Sequence, residues 1–236
     1  MNSQSGQGEI TAESLTLEEA IANLRSEDPS LRYYAAWWVG RFRVDLPEVI
    51  DALLDGLDFT EDGEGDVFPL QRNVARALGK LGSRRAVGPL IAKLDSPDFY
   101  VREAASQSLG QLGDSQAIEP LRQSLAGGVS AAVRVPGKPH LLQPYDSILE
   151  ALGELGATEA IANIEPFVSH PLEKVAYGAA RAMYQLTGDA KYGQKLVAAL
   201  QGPDLQLRRE ALSDVGAIGN LEEAKTIINT GAENSL

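Results

Sequence analysis

The sequence predicts an all-α fold, a right-handed superhelical solenoid of about six helical hairpins. Three observations carry this. First, LQRNVARALGKLG at Leu70–Gly82 reappears as YVREAASQSLGQLG at Tyr100–Gly113, 31 residues further on. Second, alignment on the inner glycine of that motif finds copies at Gly40, Gly79, Gly110, Gly153, Tyr184 and Gly216, with spacings of 39, 31, 43, 31 and 32 residues. Third, apolar residues within a copy keep helical spacing. Self-similarity at such a period marks stacked repeats, each too small to bury its own apolar face.

Within one copy, Val101, Ala104, Ala105, Ser108, Leu109 and Leu112 fall at i, i+3, i+4, i+7, i+8 and i+11, a one-sided stripe. This predicts the first helix of the hairpin. Gly113 suits a left-handed C-terminal cap, and the second helix follows Gly113-Asp114-Ser115 with Ile118, Leu121 and Leu125 inward. The small residues Ala104 and Ala105 let neighbouring hairpins approach closely. Ser96-Pro97-Asp98, His170-Pro171 and Gly202-Pro203-Asp204 put a proline at one equivalent position, read as the first helical turn.

The repeat domain is expected over residues 16–230, with a disordered N-terminal segment at 1–15 and a frayed tail at 231–236. The two long spacings mark insertions near 58–69 and 127–144, of about 8 and about 12 residues and rich in Gly or Pro. Insertions in solenoids emerge on one face, often the binding face, although surface loops also accept extra length at little cost.

The first copy is unusual. Trp37 aligns with Arg76, Gln107, Glu150, Arg181 and Ser213, an outward position that is polar in every other copy. Trp38 aligns with Ala77, Ser108, Ala151, Ala182 and Asp214; Tyr34 and Tyr33 also meet mostly small or polar residues. LRYYAAWWVGRF thus carries aromatic bulk that packing between repeats does not require. With Arg32, Arg41 and Arg43 beside it, this bulk suits a flat apolar ligand bearing carboxylates or a partner protein. A third reading is a terminal cap, with Leu17–Leu24 folded over the rings.

Thirty-three acidic against 21 basic residues give a formal net charge of −12, which opposes nucleic-acid binding. No apolar run approaches the roughly 20 residues needed to span a bilayer, and MNSQSGQGEITAES lacks the basic flank and apolar core of a signal peptide, so no membrane insertion and a cytoplasmic location are expected. There is no cysteine, hence no thiolate nucleophile or cysteine metal site. The only histidines, His140 and His170, are 30 residues apart and neither precedes a Glu, which excludes a His-Glu iron site. No metal site is expected. Glu61-Asp62-Gly63-Glu64-Gly65-Asp66 lacks the twelve-residue calcium pattern and reads as a solvated loop. His140 lies in the Pro/Gly-rich insertion that ends in Leu142-Gln143-Pro144-Tyr145. There it reads either as an exposed loop residue without a role or as a catalytic candidate that contacts a carboxylate or donates a proton.

LRYYAAWWVGRF, PLQRNVARALGKLG and PYDSILEALGELG together resemble the E subunits of the heterodimeric E/F-type phycocyanobilin lyases of the phycocyanin α subunit (CpcE type), a family of HEAT-like repeats, over about Leu17 to Gly219. The resemblance implies a lyase subunit active only with a HEAT-like F-type partner. It also implies phycocyanobilin as substrate, no cofactor of its own, and attachment of the bilin by a thioether to a cysteine of the phycocyanin α subunit. A chain without cysteine fits, because the thiol then belongs to the acceptor. On the matching motifs, the bilin or partner contacts are Arg32, Tyr33, Tyr34, Trp37, Trp38 and Arg41, then Arg72 and Asn73, then Tyr145. His140 is a reading of this sequence, not one the resemblance implies. Two alternatives stay open, a non-catalytic HEAT-repeat scaffold and a lyase-like protein that removes bilins during antenna turnover.

Overall fold

A computed structural model describes residues 15–59, 67–200 and 205–218. The chain forms two compact units, one within residues 1–83 and one within 84–236. The expected disordered start and frayed tail, the acidic run 61–66 and Pro203 lie outside the described residues, apart from Leu15 at the edge of the first segment.

The first unit contains α1 (Leu17–Leu24), α2 (Pro29–Phe42), α3 (Pro47–Leu57) and α4 (Phe68–Leu81). Thr16 starts α1 with a capping box, its hydroxyl accepting from Glu19 N while Glu19 Oε2 accepts from Thr16 N at 2.8 Å. Asp28 caps α2, accepting from Ser30 N at 2.8 Å, and Pro29 occupies the first helical position, where no N–H is missed. α2 ends at Arg43, a non-glycine residue in the left-handed region with φ 52°, and the Arg43 Nη1 donates to Lys80 O at 3.3 Å. α2 packs along α4 with α1 and α3 against the pair. The buried side chains include Leu24, Leu53, Leu57, Leu70 and Leu78, each worth about 1.5–3 kcal/mol over exposure.

The second unit comprises α5 (Val87–Ala92), α6 (Phe99–Leu112), α7 (Ile118–Gln123), α8 (Gly128–Ala131), α9 (Tyr145–Glu154), α10 (Ile161–Ile164), α11 (Glu173–Thr187), α12 (Ala190–Ala199) and α13 (Leu205–Ile218). The first helices of successive hairpins pack in sequence, α6 on α9, α9 on α11, α11 on α13. All six residues of the predicted α6 stripe are buried, and Gly113 caps the helix with φ 66°. The second helices are shorter and more broken than periodicity suggests. 3₁₀ turns at Arg84–Ala86, Ser115–Ala117 and Thr158–Ala160 precede α5, α7 and α10, because the chain tightens to three residues per turn as it leaves each glycine cap.

The repeated glycine marks a close approach of backbones. A Cβ on Gly110 would meet Ala151 Cα at 3.0 Å; on Gly153, Ala182 Cα at 2.7 Å; and in the first unit, on Gly40, Ala77 Cα at 3.1 Å. Each glycine therefore faces the alanine of the next repeat that aligns with Trp38.

The predicted proline phase is corrected. Pro97 and Pro171 sit before the helix caps Asp98 and Leu172 rather than in the first turn. Asp98 Oδ1 accepts from Val101 N at 2.9 Å and so starts α6 beyond the proline.

The 127–144 insertion is ordered. After α8 the chain forms a β-hairpin, with an antiparallel bridge between Arg134 and Leu141 and bonds from Val135 N to His140 O (3.1 Å) and Leu142 N to Val133 O (3.2 Å). At its tip Lys138 N donates to Val135 O at 3.0 Å across Pro136-Gly137, with Gly137 at φ 74°, the type II turn pattern. Arg102 grips one strand, donating from Nη2 to Leu142 O and from Nε to Gln143 Oε1, both at 2.8 Å, and from Nη1 to Ser96 O at 2.6 Å. Burial pushes this guanidinium below its ordinary pKa, opposed by Asp98, yet it stays charged at neutral pH. The buried His170 fastens the other end. Its Nδ1 accepts from Leu172 N and its Nε2 lies 3.1 Å from Ala132 O, which fixes a neutral ring with the proton on Nε2.

Candidate functional site

Two surfaces carry the chemistry that the sequence singles out, one in each unit. On α2, Trp37 and Tyr33 are 38% and 42% exposed, although α1 packs against the same helix. The cap reading therefore does not account for these two rings. Tyr34 stacks on Trp37 at 5.6 Å, and Trp38, half-buried, leans on Phe42 at 4.8 Å. The Tyr34 hydroxyl is buried and has no hydrogen-bond partner among the described residues. Arg41 is exposed, whereas Arg32 lies 4.4 Å over the Phe59 ring and donates to Ser26 O. Asn73, buried on α4, donates to Tyr33 O at 3.4 Å, with Arg72 half-buried beside it. Arg32 and Asn73 thus hold the aromatic strip in place, while Trp37, Tyr33 and Arg41 present it.

Tyr145 differs from the expectation of a surface contact. It is 1% exposed and stacks on Phe167 at 5.5 Å, since the first turn of α9 points this ring into the core. Burial pushes its phenol pKa above 10, so it stays protonated at neutral pH.

In the second unit, a half-open cleft of about 440 Å³ lies between the 133–142 hairpin and the first turns of α6, α9 and α11. That volume is within the range typical of small-molecule sites. His140 lines it with its ring parallel to Phe99, 4.2 Å between centroids and 10° between planes, and Tyr100 stands edge-on at 5.9 Å. The Nδ1–H of His140 donates to Leu141 O at 2.8 Å, because a carbonyl only accepts; Nε2 is the nitrogen left for a ligand. The cations Arg134 and Lys174 and the carboxylates Glu103, Asp146 and Glu173 also line the cleft. Lys174 pairs with the buried Asp146 at 2.7 Å, and Glu173 accepts from the Tyr177 hydroxyl. No group of three or more potential metal ligands occurs among the described residues.

Deeper along α9 and α11, Arg181 is 8% exposed and bridges Glu150 at 3.2 Å and Glu154. In the column that reads as outward, Arg181 is covered by its partners, while Glu150 and Glu154 keep part of their solvent contact.

The PBS lyase HEAT-like repeat family matches residues 31–59 and the HEAT repeats family matches residues 68–135. The phycocyanobilin lyase subunit alpha of Picosynechococcus sp. is 56% identical over 227 residues, covering 95% of this chain and 85% of that protein. The chain belongs to the phycocyanobilin lyase alpha-subunit family. The Nostoc sp. member is 57% identical over 222 residues, covering 94% of this chain and 80% of its own length. A chain in the structure of the complex of CpcE and CpcF of phycocyanin lyase from Nostoc sp. superposes with a TM-score of 0.87 at 53% identity, over 100% of this chain and 86% of that one. The resemblance carried by the three motifs, and the all-α repeat fold, are borne out.

Within this family member, sequence reasoning did not find the partners of His140. Phe99 and Tyr100 open α6 in a different repeat, and only the hairpin brings His140 to them. The Val135-Pro136-Gly137-Lys138 turn was the available signal. Arg102, Lys174 and Asp146 carried none, since each looks like an ordinary surface charge in its repeat.

Proposed function

We propose that this chain is the alpha subunit of a phycocyanobilin lyase: with an F-type partner it binds phycocyanobilin and attaches it by a thioether to a cysteine of the phycocyanin α subunit. What supports this above all is its similarity, along nearly its whole length, to proteins named for that activity. It acts in the cytoplasm, and no helix among the described residues is long and apolar enough to cross a membrane. Family membership favours this reading over a scaffold or a bilin-removing factor.

The reaction is an addition. The acceptor thiol adds across the exocyclic double bond of ring A, sulfur bonding to the ethylidene carbon and a proton ending on the ring carbon that shared the bond; nothing leaves. The lyase chain has no cysteine and so does not trap the bilin as its own thioether. Its contribution is to hold an extended bilin, exclude other thiols and align the acceptor. The exposed Trp37, Tyr33 and Arg41 serve as bilin or partner contacts, with Tyr34, Trp38, Arg32, Arg72 and Asn73 supporting them; Tyr145 acts through the core beneath α9. His140, whose Nδ1–H is held by Leu141 O, is the candidate proton donor through Nε2 in its imidazolium form.

The test is mass spectrometry of acceptor peptides after incubating apo-α-phycocyanin and phycocyanobilin with the subunit pair. One bilin on one cysteine peptide, only with both subunits present, is expected; scattered labelling identical to a lyase-free control would refute the reading.

A further inference from the structure

We propose that the cleft beneath the 133–142 hairpin is the subsite in which this chain grips one end of the bilin, with the His140–Phe99 pair as a flat wall and Arg134 as the partner of one propionate carboxylate. This rests on the bilin-lyase reading above and adds a place for the substrate.

Four observations converge. The cleft is half-open and holds about 440 Å³, enough for one end of an extended tetrapyrrole. Its wall contains two parallel rings 4.2 Å apart, which suits a planar conjugated ligand. Its roof comes from the acid-free run Pro120–Tyr145, in a chain with 33 acidic residues, so Arg134 and Lys138 stand on the hairpin without a nearby carboxylate in sequence. The hairpin is fixed at both ends, by Arg102 on Leu142 and His170 on Ala132, so its backbone is in position before any ligand arrives.

The charges decide how much of the bilin fits. Lys174 is committed to Asp146, and Glu103 and Glu173 disfavour a carboxylate along α6 and α11. One propionate therefore lies at Arg134 and the other outside this cleft. His140 Nε2 bonds in the plane of its own ring, so it accepts from an N–H when neutral, or donates to a lactam carbonyl when protonated, on a bilin ring beside the one that stacks on the wall.

The test titrates the assembled heterodimer with phycocyanobilin and with its dimethyl ester, following bilin absorbance. Wild type binds the free acid about tenfold more tightly than the ester, the scale of a charge-assisted pair. Arg134→Glu loses that preference, while Arg122→Glu, at an exposed pair with Glu119 away from the cleft, keeps it. His140→Phe retains the ring stack and removes the nitrogen, weakening acid and ester alike by a few-fold. Arg134→Glu that still prefers the acid as wild type does, or wild type that does not distinguish the two, overturns the proposal. Attachment to apo-α-phycocyanin is measured on the same wild-type preparation: attachment with unchanged binding in Arg134→Glu removes the subsite and leaves the lyase reading, whereas lost acid preference without wild-type attachment supports the subsite and removes the lyase reading.

Discussion

Gly153→Ala should destabilise the second unit by overcrowding α9 against α11. The added Cβ would lie 2.7 Å from Ala182 Cα and 3.0 Å from Ala182 Cβ. Carbon atoms prefer about 3.5–4.0 Å, so the helices must part by about 1 Å. Overpacking of this kind costs about 1–3 kcal/mol, and the better helix propensity of alanine returns about 0.5–1 kcal/mol. Contact with a backbone atom at 2.7 Å puts the cost in the upper half of that range, so the net loss is about 1–2.5 kcal/mol, a Tm lower by about 2–10 °C for a chain of this size. Gly88→Ala is the control, since a Cβ there meets nothing within 4 Å on α5; it should hold or raise Tm. Thermal unfolding followed by circular dichroism at 222 nm reads both. A Gly153→Ala protein as stable as wild type would refute the claim that the recurring glycine exists for helix approach. The same interface carries the Asp146–Lys174 pair, so the variant should also disturb the cleft.

Arg181→Ala removes the cation shared by Glu150 and Glu154, which keep part of their solvent contact, and should cost about 1–3 kcal/mol, whereas Arg181→Met, which fills the space, should cost less in urea unfolding. Equal losses would contradict the charge argument. Trp37→Ala should preserve helicity and cost about 1–2 kcal/mol, mainly the lost stack on Tyr34, while weakening partner assembly or bilin binding; a large loss of helical signal would restore the cap reading. Tyr34→Phe removes a hydroxyl with no partner among the described residues and should leave stability unchanged or raised by up to about 1 kcal/mol; a Tm several degrees lower would show that the hydroxyl is bonded. Tyr145 and Tyr177 both have phenol pKa values raised above 10, chiefly by burial. Their contribution is complete below the ordinary phenol value and is lost as pH rises through the higher folded value, so alkaline unfolding should begin above pH 10 and Tyr145→Phe should reduce its pH dependence.

The stripe of α6 and its glycine cap could be read from spacing because a stacked helix repeats one environment every turn. The hairpin could not be read that way, since its two strands form few bonds and are held by Arg102 and His170 from other repeats. Tyr145 shows the limit of motif matching, where a residue shared with a family's motif serves the core rather than the surface. Trp37 shows its strength: one large aromatic in a column of polar residues is indeed exposed. Arg181, in that same column, is buried, because its partners come from α9 and only packing reveals them.

The measurement that bears most directly on the account is in-gel bilin fluorescence after co-expression of this chain with an F-type partner, phycocyanobilin and apo-α-phycocyanin. An acid-stable fluorescent band at the acceptor, lost when either subunit is omitted, is the predicted result. A band that persists without this chain, or no band with any F-type partner, would contradict it.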